Sequence, residues 1–167
     1  LGILTIREKW ERLLSTTTST KTEEYLSVKF PLSEEFDNTF INGGVCPDEQ
    51  LILAISKLEF GERLMKDGKP VASRLANAQD LGSDTTECIE YEGEILSVEY
   101  PWDIFSKNGE ALNNDFELLT AGRTSEPLSS SNTIIGDGKV FLEEGAKVEA
   151  TILNTTNGPI YLAQNAE

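Results

Sequence analysis

The strongest constraint on this chain is a repeat at its end. Val140-Phe141-Leu142-Glu143-Glu144-Gly145-Ala146-Lys147 recurs twenty residues later as Ile160-Tyr161-Leu162-Ala163-Gln164-Asn165-Ala166-Glu167. An aliphatic residue, an aromatic, a Leu and then an Ala coincide. Leu142-Glu143 to Ala146 and Leu162-Ala163 to Ala166 share the form aliphatic, small or acidic, two free positions, small. That is the six-residue pattern of a left-handed β-helix, in which the aliphatic residue points into a triangular prism and the small one lets the chain turn the corner. Three hexads make a coil of about eighteen residues, so a spacing of twenty reads as one coil plus a short insertion. A single coil buries its inner face only against another. The chain begins at Leu1 without an initiator Met and stops at Glu167, so it is expected to be an excerpt of a longer protein. Val140, Leu142, Ile160 and Leu162 are expected to form an apolar edge that promotes association.

Charge narrows the partners. Fourteen Lys and Arg stand against 29 Asp and Glu, a net charge of −15. Such a surface repels phosphate backbones and anionic lipid, which argues against nucleic-acid or membrane-surface binding. No apolar run reaches the roughly 18 residues of a membrane span, and no stretch of these residues has the basic start and apolar core of a signal peptide. A cytoplasmic location is expected. There is no His, which excludes imidazole-based triads and metal sites within these residues. Cys46 and Cys88 are too few for a four-thiolate zinc site and are expected as free thiols.

Upstream of the repeat the pattern is mixed α/β. Ile3, Ile6, Trp10, Leu13 and Leu14 fall on one side at helical spacing over 3–14, and the hydroxyl run Ser15–Thr20 ends it. Thr39-Phe40-Ile41-Asn42 reads as a short buried strand. Gly43-Gly44 comes next as a turn, and Pro47-Asp48-Glu49 opens a helix with Leu51, Ala54, Ile55 and Leu58 on its apolar stripe. Asp67-Gly68 predicts a type I′ hairpin over 62–76. A second hairpin is expected between Cys88–Tyr91 and Ile95–Val98, turning at Glu92-Gly93. Leu112, Phe116 and Leu119 predict a helix capped by Gly122. The polar, Ser-rich stretch 123–132 reads as a linker.

Two groups are candidates for chemistry. Asn42, Gly43 and Gly44 lie after a strand and before a helix, where an open α/β sheet binds its ligands; the alternative is a tight turn that needs two glycines. Trp102, Asp103 and Asn108 form the second group. An indole stacks on a base or sugar ring, and a carboxylate holds a metal or a hydroxyl. The alternative has Trp102 in the core and Asp103 capping a helix. Arg123 either meets a phosphate or faces the carbonyl end of the preceding helix. No phosphate-loop or dinucleotide glycine motif occurs.

Several stretches resemble one family. Gly2-Ile3-Leu4-Thr5-Ile6-Arg7-Glu8-Lys9-Trp10, Trp102-Asp103-Ile104-Phe105-Ser106-Lys107-Asn108-Gly109-Glu110, Gly122-Arg123-Thr124-Ser125 and Asn157-Gly158-Pro159-Ile160-Tyr161 look like a Bacteroidetes-type branch of sugar nucleotidyltransferases. These are relatives of the bifunctional UDP-N-acetylglucosamine pyrophosphorylase / glucosamine-1-phosphate N-acetyltransferase. The resemblance implies an incomplete Rossmann-like nucleotidyltransferase domain over 1–122, a linker over 123–132 and the first coil of a left-handed β-helix over 133–167. It implies sugar phosphate and nucleotide substrates, Mg²⁺ in the full-length family and a homo-oligomer, a trimer through the complete β-helix. The family's phosphate-gripping strand and basic loop would precede Leu1, and the acyl-transfer coils would come after Glu167. Gly44 stands where classical pyrophosphorylases carry a metal-binding Asp. The 167 residues alone are therefore expected to hold no Mg²⁺ and to turn over little. The competing reading is a non-catalytic regulatory or scaffold domain on a β-helix acyltransferase.

Overall fold

The computed structural model describes residues 1–83 and 87–167. It divides into two compact units, Leu4–Asp103 and Leu1–Ile3 with Ile104–Glu167.

The first unit opens with α1 (Ile6–Leu14). Thr5 and Glu8 form a capping box: the Thr5 hydroxyl accepts from the Glu8 N–H, and the Glu8 carboxylate accepts from the Thr5 N–H at 2.7 Å. The helix thus starts three residues later than the apolar spacing suggests, because Thr5 satisfies the exposed donors of the first turn. Trp10 is buried, and its indole N–H donates to the Val45 carbonyl at 2.9 Å. The hydroxyl run is a loop tied back onto the helix, with Thr18 donating twice to Glu11. A single turn, α2 (Glu24–Ser27), precedes the sheet and buries nothing.

Strand β1 (Asn38–Ile41) leads to α3 (Glu49–Ser56), whose amino end is capped by the Asp48 carboxylate accepting from the Leu51 N–H at 2.8 Å. Strands β2 (Glu62–Lys66) and β3 (Lys69–Leu75) form the expected hairpin. Asp67 and Gly68 both adopt positive φ, 49° and 75°, as a type I′ turn requires. A short 3₁₀ helix (Ala78–Gly82) precedes β4 (Glu87–Glu90). The sheet order is β1-β3-β2-β4, antiparallel except for the parallel pair β2–β4. Leu51, Ile55 and Leu58 of the α3 stripe pack with Trp10, Val45, Leu64, Val71 and Tyr91 into one apolar cluster.

Three expectations change here. The sheet is mostly antiparallel, so Gly43-Gly44 does not lie at the carboxyl edge of an open parallel sheet; the tight 67–68 turn dictates the antiparallel pairing. Strand β1 is only half buried because it is an edge strand. The second hairpin does not form. The connection after β3 is long enough to bring β4 parallel to β2, pairing Leu64 with Ile89. Gly93 is not among the positive-φ residues; a Cβ there would meet the buried Tyr91 ring at 2.5 Å, so glycine is needed for packing rather than for a turn. Residues 96–98 pair instead with 44–46: the Cys46 N–H donates to the Leu96 carbonyl at 2.8 Å, and the Val98 N–H to the Gly44 carbonyl at 2.7 Å.

The short helix α4 (Asp103–Ser106) spans the division between units. In the second unit, α5 (Asn108–Thr120) buries Ala111, Asp115, Phe116 and Leu119, and Gly122 comes after it at φ 68°. The buried stripe thus includes Asp115 in place of Leu112, which stays exposed. Asp115 is accommodated because its carboxylate accepts from the Ile3 N–H at 2.7 Å. The remaining strands are β5 (Thr133–Ile135), β6 (Val140–Leu142), β7 (Ile152–Asn154) and β8 (Ile160–Leu162). They form two parallel pairs, β5–β7 and β6–β8. The register sets Val140 beside Ile160, Phe141 beside Tyr161 and Leu142 beside Leu162, so the two copies of the sequence repeat lie side by side. Stretch 123–132 is hydrogen bonded to residues 142–151: Glu126 N–H to the Leu142 carbonyl, and the Asn132 amide to the Val148 carbonyl at 2.7 Å. No helix of the described residues is long and apolar enough to cross a membrane.

Candidate functional site

Residues 42–45 make a compact turn. The Val45 N–H donates to the Asn42 carbonyl at 3.0 Å, and the Gly44 N–H donates to the Asn42 side-chain oxygen at 3.0 Å. The Asn42 amide then reaches the Pro70 carbonyl at 3.1 Å, tying the turn to β3. Gly43 has open space around it, but a Cβ on Gly44 would lie 2.5 Å from the Val98 carbonyl oxygen. Glycine at 44 is set by close backbone approach to the 96–98 segment.

Asn42 and Gly44 border an open cleft of about 460 Å³ between this turn, the β2–β3 hairpin tip and segment 94–99. Lys66 and Lys69 flank the hairpin turn and line the same cleft. The Lys69 ammonium is hydrogen bonded to the Glu99 carboxylate, which raises its pKa above the ordinary lysine value. Both side chains are substantially exposed, so the pair fixes geometry more than it stabilises the fold. Lys66 makes no ion pair among the described residues. The sequence carries a signal for these two lysines: Lys66-Asp67-Gly68-Lys69 sets two of only 14 basic residues on either side of one turn.

The second candidate group is divided between the two units, Trp102 and Asp103 in one and Asn108 in the other. Trp102 is exposed, not in the core, and stacks on Tyr100 with centroids 4.7 Å apart. Asp103 is buried, and one carboxylate oxygen accepts from the N–H groups of Glu99 and Tyr100 at 2.8 and 3.0 Å. It braces segment 99–100, part of the cleft wall. Asn108 belongs to the other unit, where its side-chain oxygen accepts from the Gly2 N–H at 2.9 Å. Arg123 takes the helix-end role: it donates to the Leu119 carbonyl at 2.9 Å and to Glu143 at 2.8 Å, with its guanidinium 5.3 Å above the Phe141 ring. Glu143 also accepts from the Tyr161 hydroxyl; burial, then this carboxylate, raises the Tyr161 pKa. Cys46 is buried and Cys88 exposed, and no disulfide joins them.

Among the described residues no three His, Cys, Asp or Glu side chains gather into a metal-holding set. Position 44 has no room for an added carboxylate, and Glu99 is committed to Lys69.

A family model described as sugar nucleotidyl transferase matches residues 1–124. The chain belongs to the sugar nucleotidyl transferase family. The family implies nucleotide and sugar phosphate as its substrate classes. No curated protein and no solved structure matches the chain.

Proposed function

We propose that the chain is part of a sugar-nucleotide pyrophosphorylase of the Bacteroidetes-type branch related to the UDP-N-acetylglucosamine enzymes, acting in the cytoplasm. Residues 1–122 belong to a Rossmann-like nucleotidyltransferase domain and 123–132 link it to the repeat region. Residues 133–167 open a left-handed β-helix of a hexapeptide-repeat acyltransferase that trimerises. In the reaction an oxygen of a sugar 1-phosphate attacks the α-phosphorus of a nucleoside triphosphate. The bond from that phosphorus to its bridging oxygen breaks, and pyrophosphate leaves with the electron pair. The match over residues 1–124 carries this reading. The parallel pairs β5–β7 and β6–β8, in register with the repeat, favour the β-helix assignment.

Within this proposal the 42–45 turn and the hairpin tip are the chain's contribution to substrate binding. Lys66 offsets charge on a phosphate, Lys69 is held in place by Glu99, and Asp103 keeps that wall of the cleft in position. None of the described residues is assigned to Mg²⁺. The test is pyrophosphate release by the protein encoded by the complete reading frame, with a panel of nucleoside triphosphates and sugar 1-phosphates. Lys66→Ala is expected to raise KM about tenfold, the loss of one charge-assisted hydrogen bond. Absence of turnover with every pair would reject the enzyme.

A second reading, a non-catalytic regulatory or scaffold domain on an acyltransferase, is favoured by one observation. Gly44 is packed against the Val98 carbonyl, so a metal-binding carboxylate cannot occupy that position without moving backbone. Acyl transfer without nucleotide binding in the complete protein would select it.

A further inference from the structure

The second unit carries a cleft of its own, about 310 Å³, between the Ile3 segment, α5 and residues 154–161. None of the residues lining it is charged, although the chain holds 43 charged side chains, 14 basic and 29 acidic. Three exposed asparagines, Asn113, Asn154 and Asn157, line it together with the partly exposed Tyr161 ring, with the buried Phe116 beneath. The side-chain amides of Asn113 and Asn157 have no hydrogen-bond partner among the described residues, whereas Asn154 is used in part to cap the Thr156 N–H at 3.0 Å.

The walls are fixed in advance. Ile3 is held by the buried Asp115 carboxylate, and Gly2 beside it by Asn108. Residue 160 is locked by its N–H to the Lys139 carbonyl at 2.9 Å. The Tyr161 ring lies on Phe141 (5.9 Å, 8°) and meets Phe116 edge-on (6.5 Å, 87°). The cleft is open to solvent on one side, its volume is at the low end of ligand sites, and its lining mixes apolar surface with a few amide groups.

Its chemistry selects the ligand. An anion finds no cation on the lining, and a cation finds no carboxylate. A wholly apolar ligand would strip water from the two open amides and give them no partner, at a cost of about 1–3 kcal/mol each. What remains is an uncharged ring with one apolar face and several hydroxyl or amide groups. We infer that this cleft binds a neutral saccharide unit, with Asn113 and Asn157 reading its hydroxyl or acetamido groups and the Tyr161 ring meeting its C–H face. The site does not rest on nucleotidyl transfer: a protein without pyrophosphorylase activity retains the cleft, so the two tests fail separately.

The experiment is amide chemical-shift mapping on the 167-residue chain, titrated with methyl glycosides of glucose and of N-acetylglucosamine and, in parallel, with glucose 1-phosphate. Saturable shifts centred on the side-chain NH₂ groups of Asn113 and Asn157 and on Tyr161 are expected, with the neutral sugars binding more tightly than the phosphate ester. Asn113→Ala and Asn157→Ala, both at exposed positions, are each expected to weaken binding about fivefold to tenfold without altering the spectrum elsewhere. Should a variant misfold, the wild-type map alone still decides. Shifts that never saturate, that centre on other residues, or that favour the phosphorylated sugar overturn the inference. So does binding that both alanine variants preserve.

Discussion

Cohesion within each of the two units has a different source. In Leu4–Asp103 an apolar cluster between α1, α3 and the sheet supplies the cohesion, with Leu51 fully buried and Leu58 and Leu64 nearly so. In the stretch 133–167 the strands are only three residues long, and polar ties between successive turns carry much of the order. Thr155 is the clearest case. It is 3 % exposed; its hydroxyl donates to the Ile135 carbonyl at 3.0 Å and accepts from the Gly138 N–H at 3.0 Å, and its own N–H donates to Ile135 at 2.7 Å. A Cβ on Gly138 would collide with this threonine at 2.7 Å. The first region tolerates polar change at its surface and fails through cavities. The second fails through a lost hydrogen bond or an added carbon.

The largest effect that would sharpen the contrast is Leu51→Ala. It is expected to destabilise the first unit by about 2–5 kcal/mol while leaving exchange protection in 133–167 unchanged. Urea unfolding combined with hydrogen exchange checks both halves; equal loss in the two regions would show that they unfold as one. Next, Gly44→Asp is expected to cost about 1–3 kcal/mol and to generate no magnesium-dependent activity in the complete protein, because the new carbon meets the Val98 carbonyl. Recovered stability together with new activity would restore the lost-ligand interpretation.

Thr155→Val keeps the volume but strands the Gly138 N–H, at about 1–2 kcal/mol. Its effect should fall on the 133–167 turns and spare α3, again read by hydrogen exchange. The smallest expected effect is a pH dependence. Hydrogen bonds from the Thr5 hydroxyl and then the Thr5 N–H hold the Glu8 pKa below the ordinary carboxylate value. A depressed folded-state pKa gives stability that is present above the unfolded value of 4.5 and lost as pH falls below it. Glu8→Gln should flatten that part of the acid limb of the thermal-stability curve, and an unchanged limb would remove Glu8 from the account.

Legibility in the sequence tracks the range of the interactions. The 67–68 hairpin, the α3 stripe and the α5 helix are readable because turn chemistry and helical spacing act over a few residues. The family is readable because whole stretches, from Gly2–Trp10 to Gly122–Ser125, carry its pattern. The absence of the second hairpin is not readable, because a Gly near a turn position looks the same whether it supplies positive φ or makes room for the Tyr91 ring. Asp115 is hidden for a similar reason: its partner, the Ile3 N–H, lies 112 residues away. Of the candidate site, Asn42 and Gly44 stand out in the sequence. The lysines beside them leave a fainter trace, their placement on either side of one turn, and only the folded hairpin shows that this spacing brings both to the same cleft.

From the amino acids alone came the local elements, the repeat and its twenty-residue period, and the kinship with sugar nucleotidyl transferases. Only the folded chain decided that β4 runs parallel to β2, that Asp103 and Asn108 brace backbone in separate units, and that an uncharged cleft opens beside α5. Local preference depends on each residue and its near neighbours. Pairing direction, burial and the company of a side chain depend on segments far apart in sequence, which meet only once their apolar surface has been removed from water.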